Sequence, residues 1–164
     1  MTPKDFIIRE IKSSDNLAVA SLIRSVLLEL GAPKVGTAYE DKATDTMFET
    51  YQKEAASYFV IEYKSTIIGG CGFAKLDGDE EKNICELQKM YFLPEARGKG
   101  LGSLLIKKCL EKAASIGFEQ CYLETMPYMQ AAIALYKKNG FIALDASIGN
   151  TGHYSCSVWM LKNL

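Results

Sequence analysis

The residues with the clearest chemical potential lie in the run Leu93-Pro-Glu-Ala-Arg-Gly-Lys-Gly-Leu-Gly-Ser103. A strand ends at Pro94, a basic glycine-rich loop follows, and an amphipathic helix begins directly after it. Gly98, Gly100 and Gly102 lack a Cβ, so the backbone can approach a ligand closely and aim several N–H groups into one concavity. The helix N-terminus adds partial positive charge, and Arg97 and Lys99 add full charges. The chemistry that fits is the binding of a diphosphate. A structural glycine-rich helix start is the other reading of the same residues. The loop is not a P-loop, because G-x-x-x-x-G-K-[ST] is absent. The dinucleotide fingerprint G-x-G-x-x-G also fails. After Gly98 and Gly100 its third position is Ser103, and Gln120 and Cys121 stand where an acidic ribose contact belongs.

Positioning such a loop takes a strand before it and a helix after it, and the chain supplies both. Hydrophobic periodicity predicts strands at Phe6–Lys12, Tyr58–Tyr63, Thr66–Leu76 and Ile84–Leu93. It predicts further strands at Glu119–Thr125, Phe141–Ala146 and Tyr154–Leu161. Ser14 or Asp15 can cap a helix through about Leu30, with apolar Leu17, Val19, Leu22, Ile23, Val26, Leu27 and Leu30. Gly31 and Pro33 stop it. A short second helix carries Met47, Phe48 and Tyr51. The helix after the loop, Gly98–Ile116, places Leu101, Leu105, Cys109 and Ala113 on one face, joined by Leu104 and Ile116. A fourth helix spans Met129–Asn139 and ends at Gly140. Asp77–Asn83 reads as a solvated acidic turn. Antiparallel strands come first and strand–helix–strand crossovers follow. The expected fold is therefore α/β, a mixed, twisted sheet with helices on both faces.

With 164 residues the chain is expected to form one domain over residues 1–164. At this size about 70% of the unfolded surface is buried, enough for a core without staples. Nineteen basic against twenty acidic residues give a net charge of −1. That excludes a global footprint for nucleic acid or an anionic membrane. No apolar run reaches the roughly 20 residues of a membrane span. The start shows no secretory signal, so a cytoplasmic protein is expected. The five cysteines, Cys71, Cys85, Cys109, Cys121 and Cys156, are odd in number and form no C-x-x-C pair. They read as buried free thiols. His153 is the only histidine, so no metal site is expected.

At the loop the chain resembles a known family. Arg97-Gly-Lys-Gly-Leu-Gly102 matches the Q/R-x-x-G-x-G/A signature of the GCN5-related N-acetyltransferases. Cys85-Glu-Leu-Gln-Lys-Met-Tyr-Phe-Leu-Pro94 is similar to that family's fourth strand. Ala132-Ile-Ala-Leu-Tyr-Lys-Lys-Asn-Gly-Phe141 matches its A-x-x-L-Y-x-x-x-G-F segment. The likeness covers most of the chain from about Phe6. It implies a mostly antiparallel sheet of about seven strands with about four helices, splayed between the fourth and fifth strands. It also implies acetyl-CoA as donor and a primary amine of a small molecule, peptide or protein as acceptor. Amides from Arg97 through Gly98, Lys99, Gly100, Leu101 and Gly102 to Ser103 would cradle the pyrophosphate. The free backbone at Met90, Tyr91 and Phe92 would pair with the pantetheine arm. The Met90 amide would polarise the thioester carbonyl. Relatives of this kind are often dimers, and a homodimer stays open.

The resemblance also assigns an acid and a base. Tyr136 matches the family's thiolate-protonating tyrosine, and a phenol is a neutral donor at pH 7. Aromatic packing on the sheet is the alternative. Glu86 matches the base of the histone-acetylating branch. It lies four residues before Met90, so strand alternation predicts both side chains on one face. A carboxylate in a partly apolar cleft has a raised pKa, which suits a base. Glu86 could instead merely attract a cationic acceptor. Many relatives carry Asn where Met129 stands. His153 sits in the loop before the last strand and reads as structural or solvated, or else as an acceptor contact. Tyr39, Glu40 and Asp41 fall where the family places acceptor-lining residues. Cys71 and Cys85 sit in apolar strands, which argues against a cysteine relay. A non-catalytic acyl-CoA-binding or sensory module is the rival function.

Overall fold

A computed structural model of the chain describes residues 5–78 and 83–164. Residues 79–82 of the anticipated acidic turn lie outside the described residues. Seven strands form one sheet: β1 (Phe6–Glu10), β2 (Ser57–Tyr63), β3 (Thr66–Lys75), β4 (Ile84–Phe92), β5 (Gln120–Thr125), β6 (Ile142–Leu144) and β7 (Val158–Asn163). Their order across the sheet is β1-β2-β3-β4-β5-β7-β6. Every neighbouring pair is antiparallel except β4 and β5. The β2–β3 hairpin turns on Lys64 and Ser65, both at positive φ, as a tight two-residue connection demands.

The helices α1 (Asn16–Glu29) and α2 (Met47–Thr50) cover one face, and α3 (Leu101–Ile116) and α4 (Gln130–Lys138) cover the other. On α1, residues Val19, Leu22, Ile23, Val26 and Leu27 are buried, whereas Leu17 and Leu30 are exposed. On α3 the seam is Leu101, Leu105, Ile106, Cys109 and Ala113, while Leu104 and Ile116 face solvent. Helix α3 starts at Leu101 rather than Gly98. Gly98 and Gly100 have φ of 71° and 75°, a left-handed backbone that a helix cannot use. Asp15 makes no side-chain cap to α1. Its carboxylate turns back to accept the Lys12 N–H at 2.7 Å and pairs with Arg9 at 2.7 Å. Strands β6 and β7 are shorter than their alternation suggests. Residues 145–157 leave the sheet through left-handed turns at Gly149 and Gly152.

Two irregularities of β4 matter most. It pairs with β5 only over Ile84–Gln120, Cys85–Cys121 and Glu86–Tyr122. Beyond Glu86 the strands diverge, which is the splay expected from the resemblance. The second irregularity is a bulge. Gly70 faces Tyr91 and Gly72 faces Gln88, so Lys89 and Met90 together oppose Cys71. Lys89 takes the strain at φ 49°. The buried Tyr58 hydroxyl donates to the Lys89 carbonyl at 2.8 Å, and the Tyr58 ring lies where Gly70 and Gly72 lack a Cβ.

Candidate active site

The loop before α3 presents backbone donors. The Arg97 N–H donates to the Pro94 carbonyl at 3.2 Å, and the Leu104 N–H to Gly100 at 3.3 Å. Between them, the amides of Gly98, Lys99, Gly100, Leu101, Gly102 and Ser103 have no acceptor among the described residues. A Cβ at Gly98 or Gly100 would meet nothing within 4 Å, so this cradle opens outward. Gly102 differs, because a Cβ there would sit 2.6 Å from Leu135 of α4. Its role is close helix packing. The Arg97 guanidinium does not supply loose charge to the loop. It pairs with Glu29 at 2.7 Å and donates to the Phe92 carbonyl at 2.9 and 3.1 Å.

Glu86 lies at the last paired residue before the splay, 5% exposed. Its cross-strand partner Ala74 belongs to the α1–α2 core. Met90 packs into the α3–α4 core. The two side chains therefore occupy opposite faces, contrary to simple alternation, because the Lys89 bulge inserts one residue between them. Gln88 donates to Glu86 at 2.8 Å and accepts from the Tyr51 hydroxyl at 2.7 Å. Burial raises the Glu86 pKa, and the Gln88 hydrogen bond only partly offsets that.

Around Glu86 lies a polar cluster. Asp41 Oδ2 accepts from Lys89 at 3.1 Å and pairs with His153 Nε2 at 2.9 Å. Burial alone would raise the Asp41 carboxyl, but His153 and Lys89 outweigh it and hold it down at about 2. The same hydrogen bond raises the His153 pKa against its burial. Glu124 accepts from the hydroxyls of Tyr122 at 2.7 Å and Thr151 at 2.6 Å.

Tyr136 enters from the opposite face. Its ring is buried and meets Phe141 edge-on, with centroids 6.0 Å apart. Its hydroxyl has no hydrogen-bond partner among the described residues, yet it is not sealed from solvent. The side chain packs in the α3–α4 core together with Cys71 of β3 and Cys121 of β5, with Met90 and Phe92 of β4 at the edge of the same cluster. Burial pushes its pKa up, so it holds its proton.

The acetyltransferase (GNAT) family model matches residues 25–141, more than half of the chain. The chain belongs to the GNAT family. YjgM of Escherichia coli (strain K12), an uncharacterized N-acetyltransferase, is 42% identical over 165 residues, covering 100% of this chain and 98% of that protein. The GNAT acetyltransferase of Staphylococcus aureus Mu50 has the same fold, with a TM-score of 0.83 at 18% identity, covering 96% and 98% of the two chains. YncA of Salmonella typhimurium, solved with its cofactor acetyl-CoA, has a TM-score of 0.77 at 19% identity over 97% and 94%. The GNAT protein described here is accordingly an acyltransferase, of a family that uses acetyl-CoA.

Within this GNAT fold, the sequence-predicted residues fall into two groups. Glu86, Met90, Tyr91 and Phe92 border the splay, with Tyr136 in the core cluster that Met90 and Phe92 edge, and Gly98–Ser103 line the outward cradle. Of Tyr39, Glu40 and Asp41, only Asp41 joins the Glu86 cluster. Glu40 accepts from the Gly36 N–H, and the Tyr39 ring lies under Lys34 and Arg24. His153 pairs with Asp41 rather than standing solvated. Lys89, Gln88, Glu124, Thr151 and Tyr51 had escaped notice, because their place depends on the bulge and on long-range contacts. Met129 accepts a 3.4 Å hydrogen bond at sulfur from Thr125 and so ties the end of β5 to the N-cap of α4. Four cysteines are buried and free, but Cys156 is only half-buried and its thiol is pushed up to about 12 by burial. Among the described residues no helix is long and apolar enough to cross a membrane.

Proposed function

We propose that the protein transfers an acetyl group directly from acetyl-CoA to a primary amine within one ternary complex. The observation that carries this is a pair of backbone surfaces, the side of β4 left unpaired beyond Glu86 and the six free amides from Gly98 to Ser103 that follow it in the chain. A flexible arm ending in a diphosphate fits such a surface. The arm adds to β4 like a strand and the phosphates lie on the helix N-terminus.

Acetyl-CoA supplies the acetyl group as a thioester. The chain's own residues do the rest. Glu86 takes a proton from the incoming ammonium, directly or through water. The Met90 amide donates to the thioester oxygen as charge develops there. Tyr136 gives its proton to the leaving sulfur. The face change at the bulge now makes sense. Glu86 can serve the amine from the α1–α2 side while Tyr136 serves the sulfur from the α3–α4 side.

The test is thiol release from acetyl-CoA across amine classes, together with the thermal shift that acetyl-CoA causes by mass action. Gly100→Val should abolish that shift in a folded protein. It crowds the cradle and forces a β-branched residue to φ 75°. An unchanged shift would remove the loop from donor binding. A normal shift without thiol release from any amine would leave a binding module.

A further inference from the structure

Residues 145–157 cross from β6 to β7 over the Glu86 side of the sheet and are fastened at five points, the first being the Ile148 N–H, which donates to the Tyr122 hydroxyl at 3.3 Å. The Asn150 N–H donates to the Asp77 carbonyl at 2.7 Å. The Thr151 hydroxyl donates to Glu124 at 2.6 Å. His153 pairs with Asp41 at 2.9 Å, and the Ser155 hydroxyl donates to the Val35 carbonyl at 3.0 Å. The Tyr154 ring lies against Gly36, where a Cβ would come within 2.8 Å of it. These contacts tie the segment to the base of the β3–β4 turn, to β5 and to the loop between α1 and α2. Resting on the acetyltransferase reading, we infer that this segment is a fixed strap over the acceptor cleft. It selects a free small-molecule amine against an amine carried on a polypeptide.

The argument is one of space and charge. A peptide backbone laid between two chain segments needs about 4.8 Å on each side. The strap and the α1–α2 loop instead touch directly, at 2.9 Å and 3.0 Å. Displacing the strap would strip His153 of Asp41, the anion it shares with Lys89 of β4. The His153 side chain is 19% exposed and that of Asp41 28%. A part-buried charge that loses its partner is strongly disfavoured, so the strap resists displacement. Beneath it, among the described residues, Glu86 receives only an amide donor and Glu124 only hydroxyls. Both carboxylates are left to attract an ammonium small enough to fit under the strap.

The experiment compares matched amines on the full chain with acetyl-CoA, by thiol release. Free lysine and 1,4-diaminobutane are set against a lysine in a blocked ten-residue peptide. At least one free amine should exceed the peptide by about 100-fold or more in kcat/KM. Asp41→Asn and, separately, His153→Gln should raise the peptide-to-free-amine ratio by about tenfold. Amide hydrogen exchange should quicken over residues 150–157 in both variants while α3 stays protected. A wild-type protein that acetylates the peptide within about threefold of the best free amine overturns the inference. So do loosened variants whose ratio is unchanged. No thiol release with any amine would sink the acetyltransferase reading itself, and the strap's role as selector with it.

Discussion

The proposed donor cradle and acceptor cleft both adjoin β4, yet they are built from different material. The cradle is six consecutive residues, 98–103, acting through N–H groups that any side chain leaves in place. The cleft gathers Asp41, Glu86, Lys89, Glu124 and His153 from four separate segments, acting through side chains that hold one another. A backbone site tolerates sequence change so long as its left-handed glycines remain. A side-chain site changes with each substitution. On the proposed reading, donor binding can therefore survive sequence change that would alter the choice of acceptor.

The sharpest way to break this division is at Tyr136, the one side chain placed on the donor side of the reaction. Tyr136→Phe keeps the ring against Phe141 and removes only the hydroxyl. Because that hydroxyl bonds to no described residue, stability should barely change. Turnover should fall by about 10²–10⁴, the usual contribution of a positioned acid. The loss should appear in kcat and leave acetyl-CoA affinity intact, since charge on sulfur develops only along the reaction. A Phe variant within about threefold of wild type, with chemistry shown to limit the rate, would make the donor side a matter of backbone alone.

Glu86 tests the acceptor side. Glu86→Gln should lower the rate at neutral pH by about 10–100-fold, at or below the lower range of general-base effects, with partial recovery at high pH where the amine is already neutral. The same change should stabilise the fold. Burial holds the folded pKa of Glu86 above its unfolded value, so folding favours the protonated form. Stability is therefore lost as pH rises through that window, and the glutamine variant escapes the loss. Above it the variant should gain about 1 kcal/mol, or roughly 2–4 °C in Tm. Below the unfolded pKa the two proteins should converge. A variant less stable than wild type at pH 7 would mean that Glu86 is held by partners stronger than Gln88.

The sequence made the two sites unequally legible for the same reason. A cradle of contiguous residues is written in one stretch, and its glycines, helix start and basic loop could be read in place. Tyr136 and Glu86 were reachable because each sits in a recognisable segment. The face of Met90 was misplaced because the bulge at Lys89 carries no local signal. Nothing about a lysine in Glu-Leu-Gln-Lys-Met announces a φ of 49°. The cause lies two strands away, in Tyr58 and the glycines it packs against. Likewise, Tyr154 to Ser157 alternate like a strand, but the Ser155 hydroxyl bonds to Val35 and the neighbouring His153 to Asp41, each more than 100 residues earlier.

The smallest effect separates backbone from side chain within the cradle itself. Arg97 and Lys99 look alike in sequence, two cations flanking Gly98. In the fold the Arg97 guanidinium is spent on Glu29 and the Phe92 carbonyl, whereas Lys99 has no partner among the described residues. Lys99→Gln should weaken acetyl-CoA binding by about tenfold, the scale of one charge-assisted contact. That loss should shrink as salt rises, because an exposed charge is screened. Arg97→Gln should change affinity by less than about threefold, since the guanidinium already faces away and an exposed pair contributes little. Its Tm should stay within about 3 °C of wild type. Calorimetric titration of both variants at two salt concentrations decides the matter. If Arg97→Gln costs more affinity than Lys99→Gln, the guanidinium leaves Glu29 for the phosphates on binding, and Arg97 rather than Lys99 is the side chain that reinforces the backbone cradle.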